Sequence, residues 1–215
     1  MFPVVLNLMG KNVIVFGGGT VAERRIVKLI NSGAKVKAVS KDFTNPLKKL
    51  STEKDELELV QIQLDGNNVR EFLKDVDLVL IATNNKDLND IIEKETKALG
   101  KLVNRADKLA DFSIPATLEL GGATIAISTG GRSPAVAKLI KRRMKRAITE
   151  EDVLQVEIQE LARERLKRHV QGQNKRKRIL KEIMDSPEVL LLLNKGDIKR
   201  AKKEVKEMCD AYIEH

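Results

Sequence analysis

The sequence predicts an α/β fold: a Rossmann-like doubly wound parallel sheet, followed by a small α+β segment and a C-terminal helical domain. Three observations support this prediction. Short apolar runs alternate with helix-like patterns through the first half of the chain, an order typical of parallel sheets. A glycine turn separates the first apolar run from the first helix. From Glu150 onward the pattern is helical, with interruptions near Gly172 and at Asp185–Pro187.

The predicted strands of the sheet are short and rich in buried-type residues. In chain order they are Val13–Phe16, Lys35–Ser40, Leu57–Gln63, Asp77–Ala82 and Leu102–Asn104. Helical patterns lie at Val21–Ser32 and Leu88–Leu99, and a glycine follows each of them closely. Ligands of such sheets bind beyond the carboxyl ends of the strands. The loops at Gly17–Val21, Ser40–Asp42 and Thr83–Asn85 are therefore expected to converge on one site.

After Asp111 the pattern changes. Two strands are predicted around a glycine pair, at Ser113–Glu119 and Ala123–Ser128, and their exposed edges would admit a partner chain. Ser133 and Pro134 then predict the start of a helix, as N-cap and first-turn residue. The predicted domains are residues 1–112 for dinucleotide binding, 113–149 for dimerisation and substrate contact, and 150–215 as a helical domain.

Composition limits the class of protein. The chain has 215 residues, a net charge of +9 and one cysteine, Cys209. The positive charge favours an anionic partner, although solubility alone also explains it. A single cysteine excludes an intramolecular disulfide and is typical of a reducing compartment. The N-terminus lacks a signal-peptide pattern, and no segment approaches the roughly 20 apolar residues of a membrane span. We expect a cytoplasmic protein without membrane contact.

The glycine turn is the strongest functional signal. Gly17, Gly18 and Gly19 follow a strand and open a helix through Thr20 and Val21. This order places free N–H groups where they bind a phosphate. It predicts a dinucleotide site, and the alternative is a glycine turn in a domain that has lost its cofactor.

The second strand bears on which cofactor binds. An acidic residue usually follows the glycines by about 20 positions and bonds the ribose hydroxyls. Here Ser40 stands nearest that place, and Asp42 lies slightly beyond it. Asp42 favours NAD, whereas Lys41 would favour the 2′-phosphate of NADP. We predict NAD, with Thr83 and Asn84 completing the cofactor site.

Few residues offer other chemistry. The only histidines are His169 and His215. Together with one cysteine they are too few for a His/Cys metal site, and no metal site is predicted. Asp107 and Asp111 follow the last predicted strand of the sheet. A loop aspartate there is a candidate general base, and the alternative is a turn or capping residue.

Two basic regions remain. The segment Ser128–Pro134 is a second glycine-rich turn, and with Arg132 it would bind an anion or act as a structural turn. The following helix carries six basic residues without an acidic one: Lys138, Lys141, Arg142, Arg143, Lys145 and Arg146. They would bind carboxylates or form a solvated face. The basic stretch Arg163–Lys181 lacks nucleic-acid-binding signatures and aromatic residues, so no nucleic-acid partner is predicted.

Ordered motifs across about residues 2–145 resemble one family. The segment from Phe2 to Ser40 resembles the N-terminal region of the siroheme synthase family, which includes precorrin-2 dehydrogenases and bifunctional dehydrogenase/ferrochelatases. The resemblance continues in four further stretches, at Ile81–Asn85 with Asn89, Asn104–Asp107, Phe112–Ala116 and Ile127–Pro134.

The resemblance implies an activity. The protein would oxidise precorrin-2 to sirohydrochlorin and reduce NAD, acting as a homodimer interlocked through about Ser113–Thr149. The critical aspartate of the family falls on Asp107, as a candidate base or a group that positions a metal ion. A polycarboxylate tetrapyrrole requires a cationic cleft. The candidate substrate ligands are Arg105, Ser128, Arg132, Ser133, Lys138 and Arg142.

Three alternatives stay open at this point. The chain would also insert Fe²⁺ if it resembled the bifunctional members of the family. A non-catalytic NAD-sensing subunit would use the same glycine turn without needing Asp107. A nucleic-acid-binding protein would depend on residues 163–181 and would bind less tightly as salt rises.

Overall fold

The first apolar run forms the central strand of a parallel sheet. The computed structural model describes residues 2–213 of the chain. Its first unit holds five strands: β1 Asn12–Phe16, β2 Lys35–Ser40, β3 Leu57–Gln61, β4 Leu78–Ile81 and β5 Leu102–Arg105. They run parallel in the order β3-β2-β1-β4-β5. Strand order reverses between β1 and β4, so the topological switch point, where ligands bind in such sheets, lies at the carboxyl end of β1.

Helices cover both faces of this sheet. They are α1 Thr20–Asn31, α2 Asn45–Glu53, α3 Val69–Phe72 and α4 Lys86–Ala98. Val13 and Val15 of β1 belong to the core shared with α1 and α2, whereas Ile14 and Phe16 belong to the core shared with α3 and α4. Each of these large side chains stabilises the fold by about 1.5–3 kcal/mol when fully buried. This double burial explains why the run is continuously apolar instead of alternating.

The predicted Rossmann-like fold is confirmed, with differences at the level of elements. Helices α2 and α3 were not predicted. The start of α2 carries a local signal, since the Thr44 side chain accepts a hydrogen bond from the Leu47 N–H and a proline stands in the first turn. α3 is a single turn of four residues, too short to show a helical period. The third strand ends at Gln61, two residues earlier than predicted.

The central segment forms a hairpin and a helix. Strands β6 (Ala116–Leu120) and β7 (Ala123–Ile127) pair antiparallel around Gly121 and Gly122, both of which have positive φ. Helix α5 (Pro134–Ala147) starts at Ser133, whose side chain accepts a hydrogen bond from the Val136 N–H. The predicted hairpin and helix start are therefore present, although the first strand begins three residues later than expected.

The rest of the second unit is helical. It contains α6 Glu150–His169, α7 Gln173–Met184, α8 Pro187–Asn194 and α9 Ile198–Ala211. Thr149 and Asp152 form a capping box at the start of α6, which satisfies N–H groups left free at a helix start. The predicted interruptions are seen at Gly172, the N-cap of α7, and at Ser186, the N-cap of α8. One core of buried aliphatic residues and Cys209 joins all four helices.

The chain divides into two units. The first contains the residues up to Ile114 together with Gly130–Arg132, and the second contains Pro115–Thr129 and the residues from Ser133 onward. The predicted boundaries at 112 and 149 separate the central segment from the helical tail, whereas the structure groups most of both in one unit. That predicted helical domain ends at His215, and residues 214 and 215 lie outside the described residues.

Candidate functional site

The glycine turn after β1 is shaped by the packing around it. Gly17 has a φ of 125°, and its N–H donates to the Val39 carbonyl at 2.9 Å. A Cβ on Gly17 would lie 2.5 Å from the Ala82 carbonyl oxygen, and one on Gly18 would lie 2.1 Å from that of Asp42. Both positions therefore require glycine for the fold itself, because neighbouring backbone occupies the space of a side chain.

Gly19 differs from its two neighbours. A Cβ there would meet no atom of the described chain within 4 Å, and its φ of −84° is open to any residue. The open space is what a bound group approaching the backbone closely would occupy, as a pyrophosphate does in dinucleotide sites.

The start of α1 is prepared for an anion. Gly19 is its N-cap and provides no side-chain hydrogen bond, so the first-turn N–H groups, including those of Thr20 and Val21, keep no side-chain cap. The positive end of the helix dipole adds to the attraction for negative charge. Thr44 hydrogen-bonds Glu23 of α1 at 2.6 Å, which ties the helix to the loop after β2. These features fit the pyrophosphate of a dinucleotide.

A cavity of about 680 Å³ opens at this turn. All ten residues predicted to bind the cofactor line it, namely Gly17, Gly18, Gly19, Thr20, Val21, Ser40, Lys41, Asp42, Thr83 and Asn84. The cofactor contact of each one stays a prediction. Asn85, expected at the site with its loop, also lines it, and the lining residues that sequence reasoning missed are Val39, Phe43, Thr44, Ile62, Gln63, Leu64, Ala82 and Leu88.

The loop after β4 is held by a buried asparagine. Asn89 of α4 is 1 % exposed. Its Oδ1 accepts a hydrogen bond from the Thr83 hydroxyl at 2.5 Å, and its amide donates to the Thr83 carbonyl at 3.2 Å. Asn85 caps α4 by accepting from the Leu88 N–H. These bonds fix the cavity wall that Thr83 forms.

Asp107 lies just beyond β5 and is not among the residues that line the cavity, but its neighbour Ala106 is bonded to the end of β4. The Ala106 N–H donates to the Ile81 carbonyl at 2.9 Å, next to cavity residues Ala82 and Thr83. The Asp107 side chain is 28 % exposed. Hydrogen bonds from Arg105 lower the pKa of Asp107 to about 2, and a weaker interaction with the Asn89 side chain acts in the same direction. Asp107 is therefore an anion at neutral pH.

Arg105 is buried within its own set of carboxylates. Its side chain is 2 % exposed, and it donates to Asp107 through Nε and Nη2 at 2.9 and 2.6 Å. Its Nη1 donates to Glu93 at 2.8 Å and also to Asp90. The guanidinium was predicted to contact the substrate, but the structure leaves it no free face for a ligand. Its function here is to bind carboxylates of its own chain.

Asp111, the second aspartate that the sequence left open, has a structural role. Its carboxylate accepts a hydrogen bond from the Val103 N–H at 3.0 Å, and its own N–H donates to the Val103 carbonyl at 3.1 Å. Lys97 lies 3.6 Å from the same carboxylate. Asp111 thus satisfies the backbone of the edge strand β5, as a capping residue does.

The remaining predicted ligands lie in the central segment. Ser128 and Arg132 lie in the turn between β7 and α5, and both are exposed. The Ser133 N–H donates to the Thr129 hydroxyl at 3.1 Å, so Ser133 closes this turn as well as capping α5. Lys138 and Arg142 are exposed on α5. Binding of a substrate by these residues stays a prediction.

Other reactive side chains have ordinary surroundings. Burial raises the pKa of the Cys209 thiol to about 11, which keeps it protonated. His169 is exposed at the end of α6. Within residues 2–213, no group of three or more His, Cys, Asp or Glu side chains has the geometry to hold a metal ion. No helix in the same range is both long and apolar enough to span a bilayer.

The fold and site define a class of protein. A doubly wound parallel sheet with a glycine turn, an open position at Gly19 and an uncapped helix start at the switch point is a dinucleotide-binding Rossmann domain. A family model described as NAD(P)-binding matches residues 4–116. A second family model, for the central part of sirohaem biosynthesis proteins, matches residues 124–147.

Comparison with known proteins specifies the class of protein more closely. A precorrin-2 dehydrogenase of Methanosarcina barkeri is 34 % identical over 190 residues, which is 87 % of this chain and 84 % of the relative. A siroheme synthase of Nitrosococcus oceani is 31 % identical over 68 % of this chain, and the match spans 31 % of that longer protein. The solved structure of SirC, a precorrin-2 dehydrogenase, covers 96 % of this chain and 100 % of its own, with a TM-score of 0.78 and 25 % identity.

The chain belongs to the siroheme synthase N-terminal family, and the resemblance stated from its motifs is confirmed. Its NAD(P)-binding domain and its dehydrogenase relatives make it an oxidoreductase that uses a nicotinamide cofactor.

Proposed function

We propose that this protein oxidises precorrin-2 to sirohydrochlorin with NAD as the electron acceptor. The observation that carries the proposal is the hydrogen bond between Ala106 and Ile81. It holds Ala106, the neighbour of Asp107, at the carboxyl end of β4, whose following residues Ala82 and Thr83 line the cofactor cavity. Relatives of the chain are named precorrin-2 dehydrogenases, and this carboxylate is where the family resemblance expects a critical aspartate.

The reaction divides its tasks between cofactor and chain. The bound nicotinamide supplies the acceptor for a hydride. The chain binds and orients: the first turn of α1 takes the pyrophosphate, and Thr83 with Asn84 forms the cavity wall that follows β4. Correct orientation of two reactants contributes several kcal/mol toward lowering a barrier. Asp107 supplies a fixed negative charge where the macrocycle loses its hydride.

Asp42 supports NAD as the preferred cofactor. It lies beyond β2 in the cavity wall, and a carboxylate there accepts hydrogen bonds from ribose hydroxyls and repels a 2′-phosphate. Lys41 in the same wall has the opposite effect on a 2′-phosphate. We expect NAD to bind more tightly than NADP, and Asp42→Ala to reduce that preference. A titration calorimetry series with both dinucleotides checks this, and tighter binding of NADP by the wild type would reverse the assignment.

The central segment is proposed to bind the substrate and a second copy of the chain. Ser128, Arg132, Ser133, Lys138 and Arg142 are the proposed contacts to carboxylates of the tetrapyrrole. The Lys138 and Arg142 side chains are exposed, so their charges are available to a polyanion. Cytoplasmic location and the lack of a nucleic-acid partner also stay predictions.

Anaerobic turnover tests the proposed function. The purified protein is incubated with precorrin-2 and NAD, and the absorbance of NADH and of sirohydrochlorin is recorded together. We expect equal amounts of the two products and no activity in Asp107→Ala. Asp55→Ala is the matched control, in an exposed turn between α2 and β3, and should keep wild-type activity. Binding of NAD without turnover by the wild type would instead support a cofactor-sensing subunit.

A further inference from the structure

We propose that Arg105 is a positioning residue that holds Asp107 in one orientation as a permanent anion, so that Asp107 stabilises positive charge on the substrate instead of accepting its proton. The inference rests on the proposed function and specifies how its central carboxylate acts. It also replaces the substrate contact that the sequence predicted for Arg105.

Geometry is the first support. The Arg105 guanidinium approaches Asp107 side-on, with Nε on one carboxylate oxygen at 2.9 Å and Nη2 on the other at 2.6 Å. A two-point contact of this kind fixes the plane of the carboxylate as well as its distance. Both carboxylate oxygens of Asp107 therefore accept a hydrogen bond from the guanidinium. The carboxylate is thus oriented before any substrate arrives.

The second support is the way in which Arg105 is itself held. Its third nitrogen, Nη1, donates to Glu93 at 2.8 Å and to Asp90, both on α4. Lys108 bridges the same two carboxylates at 3.0 Å each, and Lys97 pairs with Glu93 at 2.7 Å. With its side chain 2 % exposed, Arg105 is bound on both sides and cannot swing toward a ligand in this arrangement.

The charges that face Asp107 decide its chemistry. A general base works best when its pKa lies near the working pH. The Arg105 hydrogen bonds bring the pKa of Asp107 to about 2, far below neutral pH, so it is a weak proton acceptor. Burial raises the pKa of Glu93, but its bonds to Lys97, Lys108 and Arg105 outweigh burial and bring that pKa to about 2. Asp107 and Glu93 therefore both stay ionised throughout the neutral pH range.

A fixed anion has a direct use in this oxidation. One C–H bond of precorrin-2 breaks with its electron pair leaving as hydride to NAD, which leaves a cationic macrocycle. A proton then departs from the macrocycle to water, and the products are sirohydrochlorin, NADH and one proton. A preorganised charge aimed at the place where charge develops lowers the barrier without reorganisation. Asp107 remains ionised from start to finish.

Charge-matched variants test the inference. Arg105→Gln together with Glu93→Gln removes one cation and one anion, so it avoids leaving unbalanced buried charge. Arg105→Lys keeps the charge but loses the two-point contact. Lys94→Gln is the control, because Lys94 is exposed on the same helix α4 and takes no part in the contacts described above. Each variant is measured for kcat and KM across pH, for NAD affinity, and for the ¹³C carboxyl titration of Asp107.

The expected results separate position from charge. In the double variant kcat falls about 100-fold with KM little changed, the pattern of an interaction made in the transition state. The carboxyl titration of Asp107 moves from below the accessible range to about 4, the ordinary value for aspartate. The pH below which kcat falls moves to the same value as the Asp107 titration. Arg105→Lys loses about tenfold in kcat without an acid limb near pH 4, and Lys94→Gln and all NAD affinities match the wild type.

Two results would overturn the inference. One is a double variant with wild-type kcat. The other is a wild-type kcat that rises with the ionisation of a group titrating near neutral pH, which is the behaviour of a general base. If the double variant fails to fold, Arg105→Lys alone decides through its kcat and its Asp107 titration. If the wild type shows no turnover but the Asp107 titration still moves in the double variant, the proposed function is rejected and the positioning role of Arg105 stands.

Discussion

The parallel sheet and the central hairpin–helix segment differ in how much of their apolar surface one chain covers. In β1 four of five residues are buried, and helices close both faces of the sheet. In β6 and β7 only Leu118 is buried. Helix α5 buries only Ala137, while Val136 and Ile140 are 45 % and 37 % exposed. The cofactor site is thus built by a single chain, whereas the central segment leaves an apolar surface uncovered.

The two kinds of surface on α5 lie on different sides of the helix. Residues two apart on a helix point about 200° from one another. Lys138 therefore lies across the helix from Val136, and Arg142 lies across from Ile140. One side of α5 is suited to another apolar surface and the other to an anion. This supports a segment that contacts a second copy and a polycarboxylate substrate at once.

The largest effect is expected at the uncovered apolar side. Val136→Asp with Ile140→Asp would place two charges in a dimer contact, and burying unpaired charge costs several kcal/mol. We expect the proposed dimer to dissociate while helix content and NAD binding remain. Light scattering after gel filtration measures the mass. Leu191→Asp, a change at a side chain 56 % exposed on α8, is the control, and equal dissociation in both proteins would contradict this role for α5.

A pair of glycine changes tests the self-contained cofactor site. Gly18→Ala puts a Cβ 2.1 Å from the Asp42 carbonyl oxygen, and overpacking of this kind lowers the free energy of unfolding by about 1–3 kcal/mol. Gly19→Ala meets no protein atom, so its stability is expected to stay within about 0.5 kcal/mol of the wild type.

Dinucleotide affinity separates these two glycines further. The added methyl group of Gly19→Ala would occupy the space proposed for the pyrophosphate, and a loss of about 1.4 kcal/mol corresponds to a tenfold weaker Kd. Urea unfolding and calorimetry of NAD binding give both quantities. Unchanged NAD affinity in Gly19→Ala would show that the pyrophosphate lies elsewhere.

A smaller effect is expected for the cations of α5. Lys138→Gln with Arg142→Gln removes two charges proposed to meet substrate carboxylates. Each exposed charge pair contributes about 0.2–1 kcal/mol, so we expect KM for precorrin-2 to rise several-fold, more at low salt, with NAD affinity unchanged. Lys175→Gln with Lys177→Gln makes the same charge change on α7 as a control. Equal shifts in KM for both pairs would indicate a general effect of net charge.

The smallest effect concerns acid stability of the sheet unit. Asp107 and Glu93 have pKa values of about 2 in the folded protein, below the ordinary values of about 3.9 and 4.3. A lowered folded pKa contributes stability that is full above the unfolded value and is lost as pH falls from about 4 to about 2. Arg105→Gln together with Glu93→Gln should flatten this loss. Urea unfolding between pH 2.5 and 6 measures it, and an unchanged slope in this double variant would contradict the assignment.

Local patterns were sufficient for much of the fold. Five parallel strands, the glycine turn, the hairpin at Gly121-Gly122 and the α5 start at Ser133 were all predicted and are present. The ten predicted cofactor residues converge on one cavity because they follow the carboxyl ends of β1, β2 and β4, which parallel topology brings together. The helices α2 and α3 were missed, since each is too short to show a clear period.

Side-chain partnerships were beyond the sequence. Arg105 was assigned to the substrate because a cation near an aspartate is consistent with either role, and only the packing of α4 against β5 shows that Glu93 and Asp90 bind it. The same holds for Asn89, whose partner Thr83 is known only once α4 is placed. The loop pattern alone did not distinguish Asp107 from Asp111; the family resemblance singled out Asp107, and the Val103 bond shows that Asp111 acts as a cap.

The sequence by itself determined where strands, turns and helix starts fall, because burial patterns, glycine conformations and helix caps act between residues close along the chain. It also determined the family through ordered motifs. Only the tertiary structure decided which charges meet, which glycine faces open space and which apolar side stays uncovered. Those properties depend on distances between elements that lie far apart in sequence, and a few ångströms there separate an ion pair from a free charge.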